Sequence, residues 1–154
     1  MFRALIGALF AAQMLLAPAA LAGGEFGTKD EAAAMVKRVQ ELFKKEGAEA
    51  TFKKVSDKSS PEFHYLDLYP YIFDMNGVNV AHGVRPELIG KNLFDMKDPD
   101  GTYPIREQIK IAKGPGSGWV SYKWPNPFTK KIEDKSSYAE KLGDYFVGVG
   151  VYKQ

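Results

Sequence analysis

The sequence predicts an α+β domain, helices first and then an antiparallel sheet interrupted by one helical insertion. Three observations carry that. Met35, Val36, Val39, Leu42 and Phe43 recur at three- and four-residue spacing, the stripe of an amphipathic helix. From Phe63 onward the pattern changes to aromatic and β-branched residues, as strands prefer. Asp74-Met75-Asn76-Gly77 then sits between two such runs, and Asn-Gly readily takes the positive-φ turn of a hairpin.

The first segment speaks to the compartment. Met1-Phe2-Arg3 is a short positive start, residues 4–16 are apolar apart from Gln13, and Ala20-Leu21-Ala22 has the small-x-small cleavage pattern. A permanent membrane anchor is the competing reading, but the apolar run falls short of the ~20 residues of a span and Pro18 breaks its end. A cleavable signal peptide over residues 1–22, cut after Ala22, is expected, with one ligand-binding domain over residues 23–154 and a periplasmic or secreted product.

Composition agrees with a single globular unit. Of 154 residues, 45% are hydrophobic and 26% charged, which argues against disorder. The net charge of +2 comes without a long basic block, so nucleic acid is not the expected partner. There is no cysteine, which excludes disulfides, thiolate catalysis and cysteine metal sites.

The elements follow in order. Thr28-Lys29-Asp30-Glu31 reads as a capping box, Lys44 and Lys45 suit a helix C-terminus, and Gly47 can close the helix. Residues 48–55 form a second, shorter helix with Phe52 and Val55 inward. Residues 63–69 and 71–74 read as strands, with Pro70 marking a bulge or an edge. Residues 78–82 return as the hairpin partner, placing Val78, Val80 and His82 on one face. Residues 86–90 make a turn, 92–102 a polar loop, and 104–113 a helix with Ile105, Ile109 and Ala112 inward. Three strands close the chain, at 119–124, about 137–142, and 145–152; the last is apolar on both faces and so central.

The chemistry concentrates between Gly118 and Tyr138. Two Trp, two Tyr and Lys135 fall within about twenty residues, framed by Gly-Pro-Gly and Pro-Asn-Pro. Aromatic faces with a cationic donor suit a small anion with an apolar tail. Catalytic signatures are missing: no Gly-x-Ser-x-Gly, no phosphate loop, no His-Glu-x-x-His, and no acidic pair that recommends itself. Asp98-Pro99-Asp100-Gly101 resembles part of a calcium loop, but Met96 would occupy the first ligand position. A turn capping the next helix is expected there, with no metal and no cofactor.

Ordered motifs extend along the chain: Phe73-Asp74-x-Asn76-Gly77, Val80-Ala81-His82, Pro86-Glu87-Leu-Ile-Gly90-Lys-Asn92, Asp98-Pro-Asp-Gly101 and Trp119-Val-x-Tyr-Lys-Trp-Pro-Asn-Pro127. With Lys135-Ser-Ser-Tyr138 and Gly148-Val-Gly150-Val-Tyr152, this pattern resembles the single-Cache sensor domain family from about Thr28 to Lys153. The resemblance implies a long N-terminal helix packed on a PAS-like antiparallel sheet, with a ligand pocket between one sheet face and the loops over it. It also implies an extracytoplasmic input module of the kind found in chemoreceptors and histidine kinases, many of which bind small carboxylates. No second membrane span and no output domain follow in this sequence, so a free-standing version would work through a membrane receptor or histidine kinase partner.

The expected ligand-binding residues are Tyr71, Phe73, His82, Arg106, Tyr122, Trp124, Lys135 and Tyr138. Lys135 is either a solvated lysine or the point charge that pairs with a carboxylate at the rim of a strand. His82 is either a satisfied edge histidine or a donor to the ligand, best when protonated. Strand alternation puts Tyr122 and Trp124 on one face and assigns Trp119 to packing; Tyr71 and Phe73 share the floor. Arg106 supplies a second cation or an ion pair with Glu107 or Asp100. Two other classes stay open: an enzyme acting on a small acid with His82 as general base, and an interaction domain whose pocket is vestigial.

Overall fold

The helix that opens the domain starts where its capping residues dictate. In the computed structural model, which describes residues 26–153, α1 spans Lys29–Ser56. The Thr28 hydroxyl accepts from the Glu31 amide at 3.2 Å, and the Glu31 carboxylate accepts from the Thr28 amide at 2.8 Å. Both halves of the capping box are therefore made. The expected signal peptide lies outside the described residues. Among those described, no helix is long and apolar enough to cross a membrane.

Gly47 adopts φ 82°, ψ −179°, and divides α1 into two helical stretches. The long and short helices expected on either side of Gly47 are both present, joined at this kink. A residue with a side chain is strained at that φ, so glycine suits the kink. The Thr51 hydroxyl donates to the Gly47 carbonyl at 2.7 Å and restarts the hydrogen bonding beyond it.

Five strands follow: β1 (Pro70–Asp74), β2 (Asn79–His82), β3 (Ser117–Pro125), β4 (Ile132–Leu142) and β5 (Tyr145–Tyr152). They pair antiparallel in the order β2-β1-β5-β4-β3, which makes β5 the central strand, as its two-sided apolar pattern predicts. A single 3-10 turn, Pro86–Leu88, follows β2, and the helix α2 (Pro104–Lys113) precedes β3.

The sheet has two unlike faces. On one, α1 lays Met35, Val36, Val39 and Leu42 against Ile72, Val147 and Val149, and Ala81 and Leu142 complete the core. Each fully buried aliphatic side chain there contributes roughly 1.5–3 kcal/mol. On the other face α2 places Ile105, Ile109 and Ala112 over Tyr71, Phe73 and Phe146. That second face holds the polar residues described below.

Four expectations need correction. Residues 63–69 form a loop with one isolated bridge, Tyr65 to Leu68, and Leu66 sits at φ 55°; their aromatic content came from burial of Phe63, Leu68 and Tyr69, not from strand pairing. Pro70 is a regular first strand residue opposite Val149. The irregularity lies instead on β2, where Ile72 pairs with Ala81 but Phe73 with Asn79. Val80 is the extra residue and packs toward α1, so it does not share a face with His82. Finally, β4 begins at Ile132, five residues before its expected start. Its polar opening was hidden from periodicity and is held by pairing with β3.

Candidate ligand-binding site

Strand register assembles the site in rows. Tyr122 on β3, Lys135 on β4 and Tyr152 on β5 pair side by side. A second row runs His82, Tyr71, Gly148, Ala139 across β2, β1, β5 and β4. Between them Ser137 pairs with Gly150. Large side chains stand at the flanks and fold over the small ones in the middle. The glycines are required: a Cβ on Gly148 would collide with the Tyr71 ring, and one on Gly150 with Lys135 Cε and Ser137 Oγ.

Tyr71, Phe73, His82, Ile105, Tyr122, Trp124 and Lys135 line the resulting cavity, whose volume is about 10 Å³. That is the lower limit for one water molecule. Any molecule larger than a water therefore enters only by displacing part of the wall.

Lys135 is the centre of the site. It is only 2% exposed, far from the strand-rim position expected for it. Its Nζ donates to Tyr69 Oη at 2.9 Å and lies 4.5, 5.5 and 4.9 Å from the ring centroids of Tyr69, Tyr71 and Tyr152. Such a cage favours a cation through the ring quadrupoles. Burial nevertheless pushes its pKa down to about 7; Asp67 opposes the shift and Arg85 adds to it. Asp67 is itself buried, with Oδ1 accepting from the Gly27 amide at 2.7 Å and Oδ2 without a protein partner.

The phenols are locked into a directed chain. Tyr71 Oη donates to Gln108 Oε1 at 2.7 Å, since that oxygen can only accept. Tyr122 Oη, 3.3 Å from Tyr71 Oη, then donates to it, and Ser137 Oγ donates to Tyr122 Oη at 2.8 Å. Burial raises the pKa values of Tyr69, Tyr71 and Tyr122, so all three stay neutral.

His82 stacks on Tyr71, with centroids 6.0 Å apart. Its Nδ1 accepts from the amides of Val84 at 3.3 Å and Arg85 at 3.0 Å. That fixes the tautomer with the proton on Nε2. Burial, with Lys135 and Arg85 nearby, lowers its pKa to about 3. The ring is therefore a neutral donor, and the expectation that it would donate best when protonated is replaced by a fixed tautomer.

A family model described as Cache domain matches residues 28–154. The chain belongs to the Cache domain family. It is 35% identical over 118 residues to the sensor histidine kinase MctS of Rhizobium johnstonii, covering 74% of this chain and 25% of the kinase. It is 32% identical over 88 residues to the methyl-accepting chemotaxis protein McpP of Pseudomonas putida, covering 56% and 16%. The chain spans a quarter or less of the length of these curated relatives. Among solved structures, a methyl-accepting chemotaxis protein from Vibrio parahaemolyticus superposes with TM-score 0.67 at 29% identity, covering 80% of this chain and 87% of that one. Another, described as the structural basis for carboxylic acid recognition by a Cache chemosensory domain, superposes with TM-score 0.64 at 26% identity, covering 81% and 88%. The family is one of sensor domains, and this chain is a Cache domain of that type.

In this Cache domain six of the eight expected residues line one cavity: Tyr71, Phe73, His82, Tyr122, Trp124 and Lys135. Two lie elsewhere. Tyr138 is one residue out of phase with Ser137, so it faces α1, pairs with Trp119 at 5.4 Å and packs on the helix-side core. Arg106 is held outside the cavity, its Nε donating to the Phe94 carbonyl at 3.1 Å and its guanidinium paired with Asp95 and laid over Tyr103. Asp95 takes the place of the Glu107 or Asp100 partner. Trp119 does face the other way from Trp124, but it is 36% exposed and carries Lys29 Nζ 4.9 Å over its ring.

Asp98 does not cap α2, whose N-cap is Tyr103. Its carboxylate accepts from the amides of Asp100, Thr102 and Lys123 at 3.0, 2.7 and 2.8 Å, strapping the 92–102 loop to β3. Sequence reasoning missed Tyr69, Tyr152, Gln108 and Ser137. Gln108 had a usable signal: it is the one polar residue within the Ile105, Ile109, Ala112 stripe, and it is fully buried.

Proposed function

We infer that this Cache domain is an extracytoplasmic sensor module that binds a small organic anion, a two- to four-carbon carboxylate. It would pass its occupancy to a membrane-bound histidine kinase or chemoreceptor. The observation that carries this reading is Lys135, a buried ammonium with aromatic faces around it and no carboxylate paired to it among the described residues. A buried charge without a counter-ion is costly, and an anionic ligand supplies the missing partner. His82 Nε2–H gives it a neutral donor, while the phenol protons are already committed to one another and to Gln108. Support also comes from the relatives, which are a kinase and a chemoreceptor, and from the carboxylic acid recognition described for one neighbour. Export through a signal peptide over residues 1–22 belongs to the same proposal.

The enzyme reading draws little support from His82. A histidine whose pKa is lowered to about 3, with Nδ1 already accepting two amide protons, is a poor general base. Thermal-shift titration of the purified protein with acetate, propionate, butanoate, lactate and pyruvate tests the proposal. The midpoint should rise with concentration for at least one acid. A flat response to all of them would favour the vestigial-pocket reading, and turnover of a bound acid lost in His82→Ala would favour the enzyme.

A further inference from the structure

We propose that Trp124 sets the upper length of the ligand by dividing the buried cavity from an open groove outside it. The ligand's acidic head is taken from the carboxylate reading above; the partition itself rests on geometry alone. Trp124 is the one described residue that lines both spaces. Outside it lies a groove of about 480 Å³, with apolar walls from Leu88, Leu93, Met96, Pro99, Pro125 and Ile132. Inside it lies the 10 Å³ cavity with Lys135 and His82.

Any ligand larger than a water must push a wall aside, and the walls differ in how firmly they are held. Tyr71 and Tyr122 are tied through Gln108 and Ser137, and His82 through two backbone amides. The Trp124 indole N–H has no hydrogen-bond partner among the described residues, and the ring meets Tyr122 edge-on at 6.0 Å. Behind it is open volume. With its carboxylate at Lys135, a ligand's tail ends against this indole, and the indole's bulk decides how many methylenes fit. Removing the ring joins the cavity to the groove and gives a longer tail an apolar channel.

The test is calorimetric titration of the purified protein with straight-chain acids from acetate to octanoate, comparing wild type, Trp124→Phe and Trp124→Ala, each checked for a cooperative melt. Wild type should bind best at four carbons or fewer. Trp124→Ala should shift the optimum to six to eight carbons, gaining about fourfold in affinity per methylene beyond butanoate, with Trp124→Phe in between. If Trp124→Ala does not fold, Trp124→Leu replaces it with the same expectation. A folded variant whose length optimum stays where the wild type's is overturns the proposal, as does wild type binding octanoate as tightly as propionate. If no acid binds wild type, the carboxylate reading fails by itself. The partition is then read with n-alkanols of the same lengths: a length-dependent gain in the variant supports it, and identical binding overturns it.

Discussion

Lys135 Nζ rests 2.9 Å from Tyr69 Oη and 4.5 Å from the centroid of the same ring, so one tyrosine serves the cation as both hydrogen-bond acceptor and π-face. Nothing in that arrangement neutralises the charge. Stability and binding therefore pull in opposite directions at this residue.

Lys135→Met should separate them. A side chain of similar length without the charge removes the desolvation cost, and the fold should gain about 1–3 kcal/mol in chemical denaturation. Carboxylate affinity should fall roughly 10- to 150-fold, the worth of a charge-assisted hydrogen bond. A variant that loses stability and keeps its affinity would remove Lys135 from the site.

The lowered Lys135 pKa predicts how stability varies with pH. The fold favours the neutral amine of Lys135, whose pKa falls to about 7 from its ordinary 10.5. Between those values the unfolded chain holds more protons. Stability should then rise with pH from about 7 toward 10.5, by up to about 1.4 kcal/mol per pH unit from this group. Lys135→Met should lack this rise. An anion that binds the ammonium form should also weaken about tenfold per pH unit above 7, which titration in buffers of different ionisation enthalpy would register as proton uptake.

His82 titrates on the acid side. Its folded pKa is about 3 against 6.5, again because the neutral form is favoured. Its contribution to stability is complete above 6.5 and is lost as pH falls from 6.5 toward 3. Nitrogen-15 shifts at pH 7 should show the proton on Nε2. His82→Ala leaves the Val84 and Arg85 amides without their acceptor and should cost about 1–3 kcal/mol.

Gly150→Ala should injure the site more than the backbone. Its added methyl would collide with Lys135 Cε and Ser137 Oγ, and overpacking of this kind costs about 1–3 kcal/mol. Because Lys135 must yield, ligand affinity should fall even where far-ultraviolet circular dichroism is unchanged. Gly90→Ala serves as a contrast: a Cβ there meets nothing, although its φ of 86° strains any side chain, so a stability loss without an affinity loss is expected.

Asp98→Asn should loosen the 92–102 loop. Although burial works against ionisation, the backbone amides of Lys123, Thr102 and Asp100 hold Asp98 below the usual carboxylate range. Its support is present above the unfolded pKa and lost as pH falls through the lower folded value. The Asn amide nitrogen cannot accept a hydrogen bond, so at least one of the three donors is left unpaired and about 1–3 kcal/mol should go, with faster hydrogen exchange at the Lys123 amide.

Much of this was readable from residues alone, where one local rule decided the outcome. The Thr28 capping box, the Asn76-Gly77 hairpin, the inward face of α2 and the central β5 all follow from short-range pattern. Parity also separated Trp124 from Trp119. It failed at Val80, because an extra residue in β2 resets alternation; Tyr138 obeys it, lying one position out of phase with Ser137 and so on the face opposite Lys135. Arg106 was misjudged because charge alone does not reveal a nearer partner such as Asp95. The cage of Tyr69 and Tyr152 depends on distant strands meeting, which no local spacing reports.

Alternation along β4 has a further consequence. Lys135, Ser137 and Ala139 face the cavity, while Tyr138 and Glu140 face α1, Glu140 pairing with Lys37 at 2.7 Å. A slip of one residue would drive the ammonium into the aliphatic layer under α1, away from every ring that tolerates it. Misaligned pairings are thereby disfavoured by Lys135 itself. Lys135 in this way favours the native strand register, and a Lys135→Met chain should refold through more misregistered traps even as its native state grows more stable.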